Sequence, residues 1–303
     1  MSCSEPMSLV DELARSRIHF FTGKGGVGKS TVVAAAAIAL AAQGKRPLIV
    51  ELGHRATMSA ILGAPSIGYE PREVAPGVRS MNLEPEAALR EYVASRVKIP
   101  GFARFALASE PLRRFFEAAP AVNEVVTLAK LDRLEREQRG GRPKHDPILV
   151  DLDATGHALM FFELPRVFSG IARSGPLAAL LDSFSALLRD ERRAKLHVVT
   201  LPMELPVNET LELCEHLRPR GELSVGKVVV NRTPPAPPGD TEHPDPAERR
   251  LRERFSSRRE RAAREIARLE RAGLDLVLLP EVPATHDVQT RLEVLAASME
   301  GAR

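Results

Sequence analysis

The chain has 303 residues, with 43 Lys and Arg against 40 Asp and Glu and a formal net charge of +3. That length holds one large α/β domain with insertions, and the near balance of charge carries no nucleic-acid signature. Two cysteines, Cys3 and Cys214, exclude a disulfide scaffold and fit a reducing cytoplasm, and no apolar run reaches the about 18 residues of a membrane helix.

Met1 to Arg17 carries Glu5, Asp11 and Glu12 and lacks an apolar core, so no secretory signal is expected there. Ile18-His19-Phe20-Phe21 then predicts a buried strand. Gly23-Lys24-Gly25-Gly26-Val27-Gly28-Lys29-Ser30-Thr31 follows and fits G-x-x-x-x-G-K-[ST]. Ser30 to Ala42 predicts an alanine-rich helix. Strand, glycine loop and helix in that order make a phosphate-binding loop. Its N–H groups curl inward at phosphate oxygens, and the helix N-terminus adds positive potential. Lys29 is expected to reach the β- and γ-phosphates of ATP, and Ser30 to hold Mg²⁺.

Gln43-Gly44-Lys45-Arg46 stops the helix, and Pro47 to Leu52 predicts a second buried strand ending near Glu51. Val78 to Leu83 predicts a further strand, and Pro85 to about Val97 a helix. Phe102, Phe105, Leu112, Phe115 and Phe116 then fall close to helical spacing. Seven of the eleven phenylalanines lie between 102 and 168, so apolar mass concentrates in one region. They serve either as packing or as a binding groove.

Arg139 to Pro143 predicts a loop, and Pro147-Ile148-Leu149-Val150-Asp151 a buried strand ending in an acid that can hold Mg²⁺. Leu196 to Thr200 and Val228 to Arg232 predict two more strands. Thr233 to Glu248, rich in proline and acid, predicts a flexible loop. Ala247 to Ala272 predicts a helix rich in arginine and glutamate, with Leu251, Phe255, Ala262, Ile266 and Leu269 as its apolar stripe. Leu276 to Leu279 predicts the last strand, and Asp287 to Met299 the last helix. Apolar strands alternating with helices give a doubly wound, mainly parallel α/β sheet with ligands at the strands' carboxyl ends. Residues 1–303 read as one unit, with helical insertions at 85–135 and 158–190.

Lys24 stands second in the loop, as G-K-G-G-V-G-K-S. The loop thereby resembles the deviant Walker A of the group that includes MinD, ParA, the nitrogenase iron protein and the ArsA-type ATPases. Asp151, Thr155, Gly156, His157 and Leu159 match D-T-A-P-T-G-H-T-L, the switch II of ArsA-like ATPases. MinD and ParA proteins lack the T-G-H segment, so the resemblance narrows to the ArsA-like branch, which includes tail-anchored-protein-targeting ATPases. It spans nearly the whole chain, from the phosphate loop to Pro283.

That resemblance implies a P-loop ATPase that closes as a homodimer over ATP, with Lys24 acting on the partner's nucleotide. Glu51-Leu52-Gly53-His54 lies over the family's D-P-A-H switch I, so Glu51 stands where an aspartate activates water and His54 joins the switch residues. The alternative reading of Glu51 is a strand-end carboxylate paired with a lysine. Asp153 stands where the family has alanine, and Met203 where it often has an acid, with Glu204 beside it. By the same resemblance Asn231 hydrogen-bonds adenine, Pro280-Glu281-Val282-Pro283 closes over it, and Gly156 serves as a hinge. The helical insertion implies a client or membrane-associated partner. The chain has no C-x-x-C pair, so neither a zinc-stapled dimer nor arsenite capture by cysteines is expected. The function implied is a Mg²⁺-dependent ATPase coupled to a helical surface. The alternative is a nucleotide-gated interaction module with little turnover.

Overall fold

The computed structural model describes residues 7–52, 57–96, 122–152, 155–169, 174–217, 223–236 and 245–301. The chain opens with α1 (Leu9–Leu13), β1 (Ile18–Thr22), α2 (Lys29–Ala42), β2 (Leu48–Leu52), α3 (Thr57–Leu62), β3 (Arg72–Ala75) and β4 (Val78–Leu83). Helices α4 (Pro85–Arg96) and α5 (Val122–Arg136) follow, then the short β5 (Gln138–Arg139) and β6 (Arg142–Pro143), and β7 (Ile148–Asp151). Next come α6 (Thr155–Ser169), α7 (Pro176–Arg189), β8 (Ala194–Thr200), α8 (Glu204–Leu217) and β9 (Val225–Thr233). The chain ends with α9 (Pro246–Arg271), β10 (Leu276–Pro280) and α10 (Val288–Gly301).

Eight strands form one sheet in the order β10-β9-β8-β1-β7-β2-β4-β3. Every pairing is parallel except β3 with β4 at one edge. β1 lies between β7 and β8, so the loop after it opens where the chain winds outward in both directions. That is the place where open α/β sheets bind ligands.

Alternation along the strands feeds two cores. Phe20, Val50, Val150, Val198 and Val228 face α5 to α9, where Phe161, Phe162 and Phe184 pack. Their neighbours Phe21, Ile49, Leu149, Val199 and Val229 face α1, α2, α3 and α10. Each large aliphatic or aromatic side chain buried this way contributes about 1.5–3 kcal/mol. α2 runs through the second core with Val32 to Ala37 fully buried. Its small side chains let it sit close to the sheet and fix where its N-terminus points.

The sheet is the doubly wound one that the strand pattern predicts. Several local expectations shift. Arg139 to Pro143, expected as a loop, is the tip of a small antiparallel hairpin. The loop expected over 233–248 is shorter at both ends. Thr233 closes β9, and α9 starts at Pro246 behind a capping box of Asp245 and Glu248. Two reciprocal bonds to helix-end N–H groups favour this start over a continued loop. Phe161 and Phe162 belong to the core, Phe162 edge-on to Phe20 and Phe161 tilted against it. Phe102, Phe105, Phe115 and Phe116 lie outside the described residues. Among the described residues no helix is long and apolar enough to cross a membrane.

Candidate functional site

The loop from Gly23 to Gly28 joins the end of β1 to the start of α2. Two glycines in it have no substitute. Gly23 has φ 147°, and a β-carbon there would stand 2.0 Å from the carbonyl oxygen of Val199. Gly28 has φ 94°, and a β-carbon there would stand 2.5 Å from Asn231 Nδ2. Val27 is buried and anchors the loop from below. Gly28 caps α2 without any side-chain hydrogen bond, so the helix-end N–H groups face the loop unscreened by a cap. Lys29 lies across the loop, its Nζ donating to the carbonyls of Gly23 at 3.1 Å and Lys24 at 3.3 Å.

Ser30 Oγ donates to Asp151 Oδ2 at 2.6 Å. Asp151 is buried at the end of β7, in register with Phe21 on β1 and Glu51 on β2. A hydroxyl and a carboxylate at the mouth of a phosphate loop are hard oxygen donors, and such a set fits Mg²⁺. Thr155, Gly156 and His157 form the first turn of α6, directly after this strand. His54 and Asp153 lie outside the described residues.

Glu51 makes contacts that neither sequence reading named. It is 3% exposed, and its carboxylate accepts from the N–H groups of Thr57 at 2.6 Å and Met58 at 3.4 Å. It thus caps the first turn of α3 on the loop side of the sheet. Asn82 stands beside it in register on β4 and is buried too.

Lys24 points out of its own loop and forms an ion pair with Glu209 of α8. Sequence reasoning missed Glu209, which carries no motif and stands in a different part of the chain.

Thr31, Asn231 and Pro280 meet at a cavity of about 250 Å³ walled by Ile61, Val282 and Val288. Apolar walls edged by the Asn231 amide and by Arg232 and Arg291 form a slot that suits a flat ring with polar edges, such as a purine. Asn231 is buried. Its Nδ2 donates to the Val27 carbonyl at 2.9 Å, and its Oδ1 accepts from the Arg232 N–H at 2.9 Å. The amide therefore braces the phosphate loop from behind. Glu281, expected with Pro280 to close over adenine, does not line this cavity. It lines a neighbouring cavity and pairs with Arg258 at 2.6 Å. Met203 and Glu204 line that second cavity as well.

The family model for anion-transporting ATPases of the ArsA type matches residues 16–174, the stretch that carries the loop, Glu51, Asp151 and the T-G-H turn. The chain is 34% identical to ATPase BagA of Mycobacterium tuberculosis over 236 residues, which is 74% of this chain and 67% of that protein. It is 29% identical to an arsenical pump-driving ATPase of Escherichia coli over 164 residues, 53% of this chain and 27% of that one. A similar pump-driving ATPase of Acidiphilium multivorum is 29% identical over 59% of this chain and 31% of its own length. The match with these pump ATPases thus covers about a third of their length or less. A phosphate loop at the centre of a doubly wound sheet, its acid one strand away, and a family match over more than half the chain agree: this protein belongs to the ArsA-type ATPase family.

Proposed function

We propose that this protein is a Mg²⁺-dependent ATPase that closes as a homodimer and passes its nucleotide state to its helical face. The observation that carries the proposal is the opposite aim of two lysines on one loop. Lys29 lies over the loop's own carbonyls, while Lys24 leaves the loop for Glu209. A lysine held at the rim is available to a second copy, and one across the loop is not. Met203 and Leu205, beside that rim, are 59% and 60% exposed, as a surface awaiting a partner would be.

In this reading Lys29, the loop N–H groups and the α2 N-terminus hold the phosphates. Ser30 and Asp151 hold the metal, which when bound neutralises charge on the β- and γ-oxygens. Glu51 positions the attacking water after leaving α3. Asn231 and Pro280 bound the base. Lys24 of the second copy stabilises charge as it develops on the phosphates. α6 starts behind Asp151 and carries Phe161 and Phe162 into the core of α5 and α7, which supports coupling to the helical face. The partner there is a client protein or a membrane-associated protein in the cytoplasm. The names of the pump relatives do not transfer the arsenite step, because Cys214 is buried and Cys3 is the sole other cysteine.

A specific observation keeps the second reading, a nucleotide-gated module with little turnover. Glu51 is engaged with α3 rather than open to water. One experiment separates the two. Lys24→Ala should still bind ATP and should lose turnover by about three to five decades, the range for charges supplied across an interface. Mixing Lys24→Ala chains with Glu51→Ala chains, each inactive alone, should restore part of the activity. Such a dimer has one site with Glu51 intact and the partner's Lys24 intact. Confirmed subunit exchange without recovered activity would sink the trans role of Lys24. Mg²⁺-ATP bound without turnover by the unaltered protein would favour the module.

A further inference from the structure

β9 and β10 fall out of step beside the nucleotide site. Leu278 pairs with Val230, but the next pair is Pro280 with Thr233. Two β9 residues, Asn231 and Arg232, therefore stand opposite Leu279 alone. This is a β-bulge, a device that re-aims side chains next to active sites. Arg232 takes the strained place in it. With φ 57° it is the one non-glycine residue in the left-handed region among the described residues. Glycine adopts that conformation without strain, whereas a long side chain there is uncommon. Strain kept at such a place points to a use for the side chain.

The position says what the use is. One guanidinium nitrogen of Arg232 is 3.9 Å from where a β-carbon on Gly28 would stand, so it lies over the inner end of the phosphate loop. The same side chain lines the base cavity with Thr31, Asn231 and Pro280. It also lines the neighbouring cavity of about 470 Å³ with Arg258 and Arg261. The backbone N–H of Arg232 is held by Asn231, whose other end holds Val27 in the loop. The guanidinium is thus tied to the interval between the phosphate loop and the base slot. In a nucleotide that interval holds the ribose and the α-phosphate, and of these the phosphate is the anion. A planar fork of donors suits its oxygens better than an ammonium does.

We infer that Arg232 is a nucleotide-contacting residue, pairing with the α-phosphate and setting affinity for ATP and ADP alike. The inference rests on the ATPase reading above and deepens it. It predicts an affinity role that the phosphate-loop motif does not contain.

The test measures ATP, ADP and adenosine affinities by calorimetry for the unaltered protein, Arg232→Gly and Arg232→Lys. Glycine fits the left-handed backbone, so Arg232→Gly should melt no lower than the unaltered protein. It should bind ATP and ADP about ten- to a hundredfold more weakly, the scale of a lost charge-assisted hydrogen bond. Adenosine affinity should stay unchanged. Arg232→Lys should recover part of the ADP affinity but not all. Equal ADP affinity in a well-folded Arg232→Gly overturns the inference while leaving the ATPase reading intact. Equal weakening of ADP and adenosine replaces phosphate pairing by base stacking and also overturns it. If the unaltered protein binds no nucleotide, the ATPase reading fails first and this inference falls with it.

Discussion

Between Gly23 and Ser30 the chain builds the surface proposed to hold phosphate from consecutive residues, using backbone N–H groups and one amine. The cavity proposed to take the base uses Thr31 of α2, Ile61 of α3, Asn231 of β9, Pro280 of β10 and Val288 of α10. Charge at the phosphate end comes from a helix end and lysine. Shape at the base end comes from a slip in strand register. The two ends meet where Asn231 holds the Val27 carbonyl. A local motif can thus secure the phosphates, while the selection of a base waits on how distant strands align.

The largest effect expected at the phosphate end is that of Lys29→Ala. It should weaken ATP by at least about a hundredfold, since an ammonium serving several phosphate oxygens is removed. Adenosine binding should be untouched, and ATP affinity equal to that of the unaltered protein would end the phosphate-loop assignment. Asn231→Ala tests the other end with a smaller effect. ATP and adenosine should both weaken about tenfold, and stability should fall by about 1 kcal/mol from the lost bond to Val27. Should Lys29→Ala and Asn231→Ala prove indistinguishable with adenosine, the division into two ends breaks.

The smallest effect on nucleotide affinity belongs to a control outside both ends. His19 of β1 and His197 of β8 are fully buried, with His19 Nδ1 and His197 Nε2 3.0 Å apart. Burial pushes His19 down to about 3. Burial, and next the charge His19 would carry, push His197 well below the ordinary value of 6.5. Unfolded histidines take up protons as pH falls through 6.5, whereas folded His19 resists until about pH 3 and folded His197 stays neutral well below 6.5. Stability should therefore be full above pH 6.5 and decline below it, by up to about 1.4 kcal/mol per pH unit for each histidine. Urea unfolding at pH 7 and pH 5 measures this, and His19→Gln should flatten the slope. An unchanged slope would place the acid sensitivity elsewhere.

The sheet was legible because parallel strands covered on both faces read as continuous apolar runs, from Ile18-His19-Phe20-Phe21 to Leu276-Val277-Leu278-Leu279. β3 was not, because Arg72-Glu73 at an edge shows no apolar alternation. α3 has six residues, too few for a helical period to register. The capping box at Asp245 and Glu248 was readable, yet the prolines around it pulled the expected loop too far. At the site, contiguous motifs announced Gly23 to Thr31 and Asp151. Glu209 and Arg232 gave no signal. The first matters through a fold contact with Lys24, and the second through a bulge that exists only when β9 meets β10. Glu51 was legible as a strand-end carboxylate, but its bond to α3 depends on where the chain returns at Thr57.

The pair between Lys24 and Glu209 has an energetic corollary. Both side chains are about a third exposed, at 32% and 35%. Ion pairs so open to water are worth about 0–1 kcal/mol and weaken as salt rises. That is close to thermal energy, so Lys24 leaves Glu209 often and returns fast. The rim charge behaves as a loosely tethered probe rather than a locked bolt. Its departure sets no timescale of its own, so the closure proposed above would be limited by a slower rearrangement of packed elements.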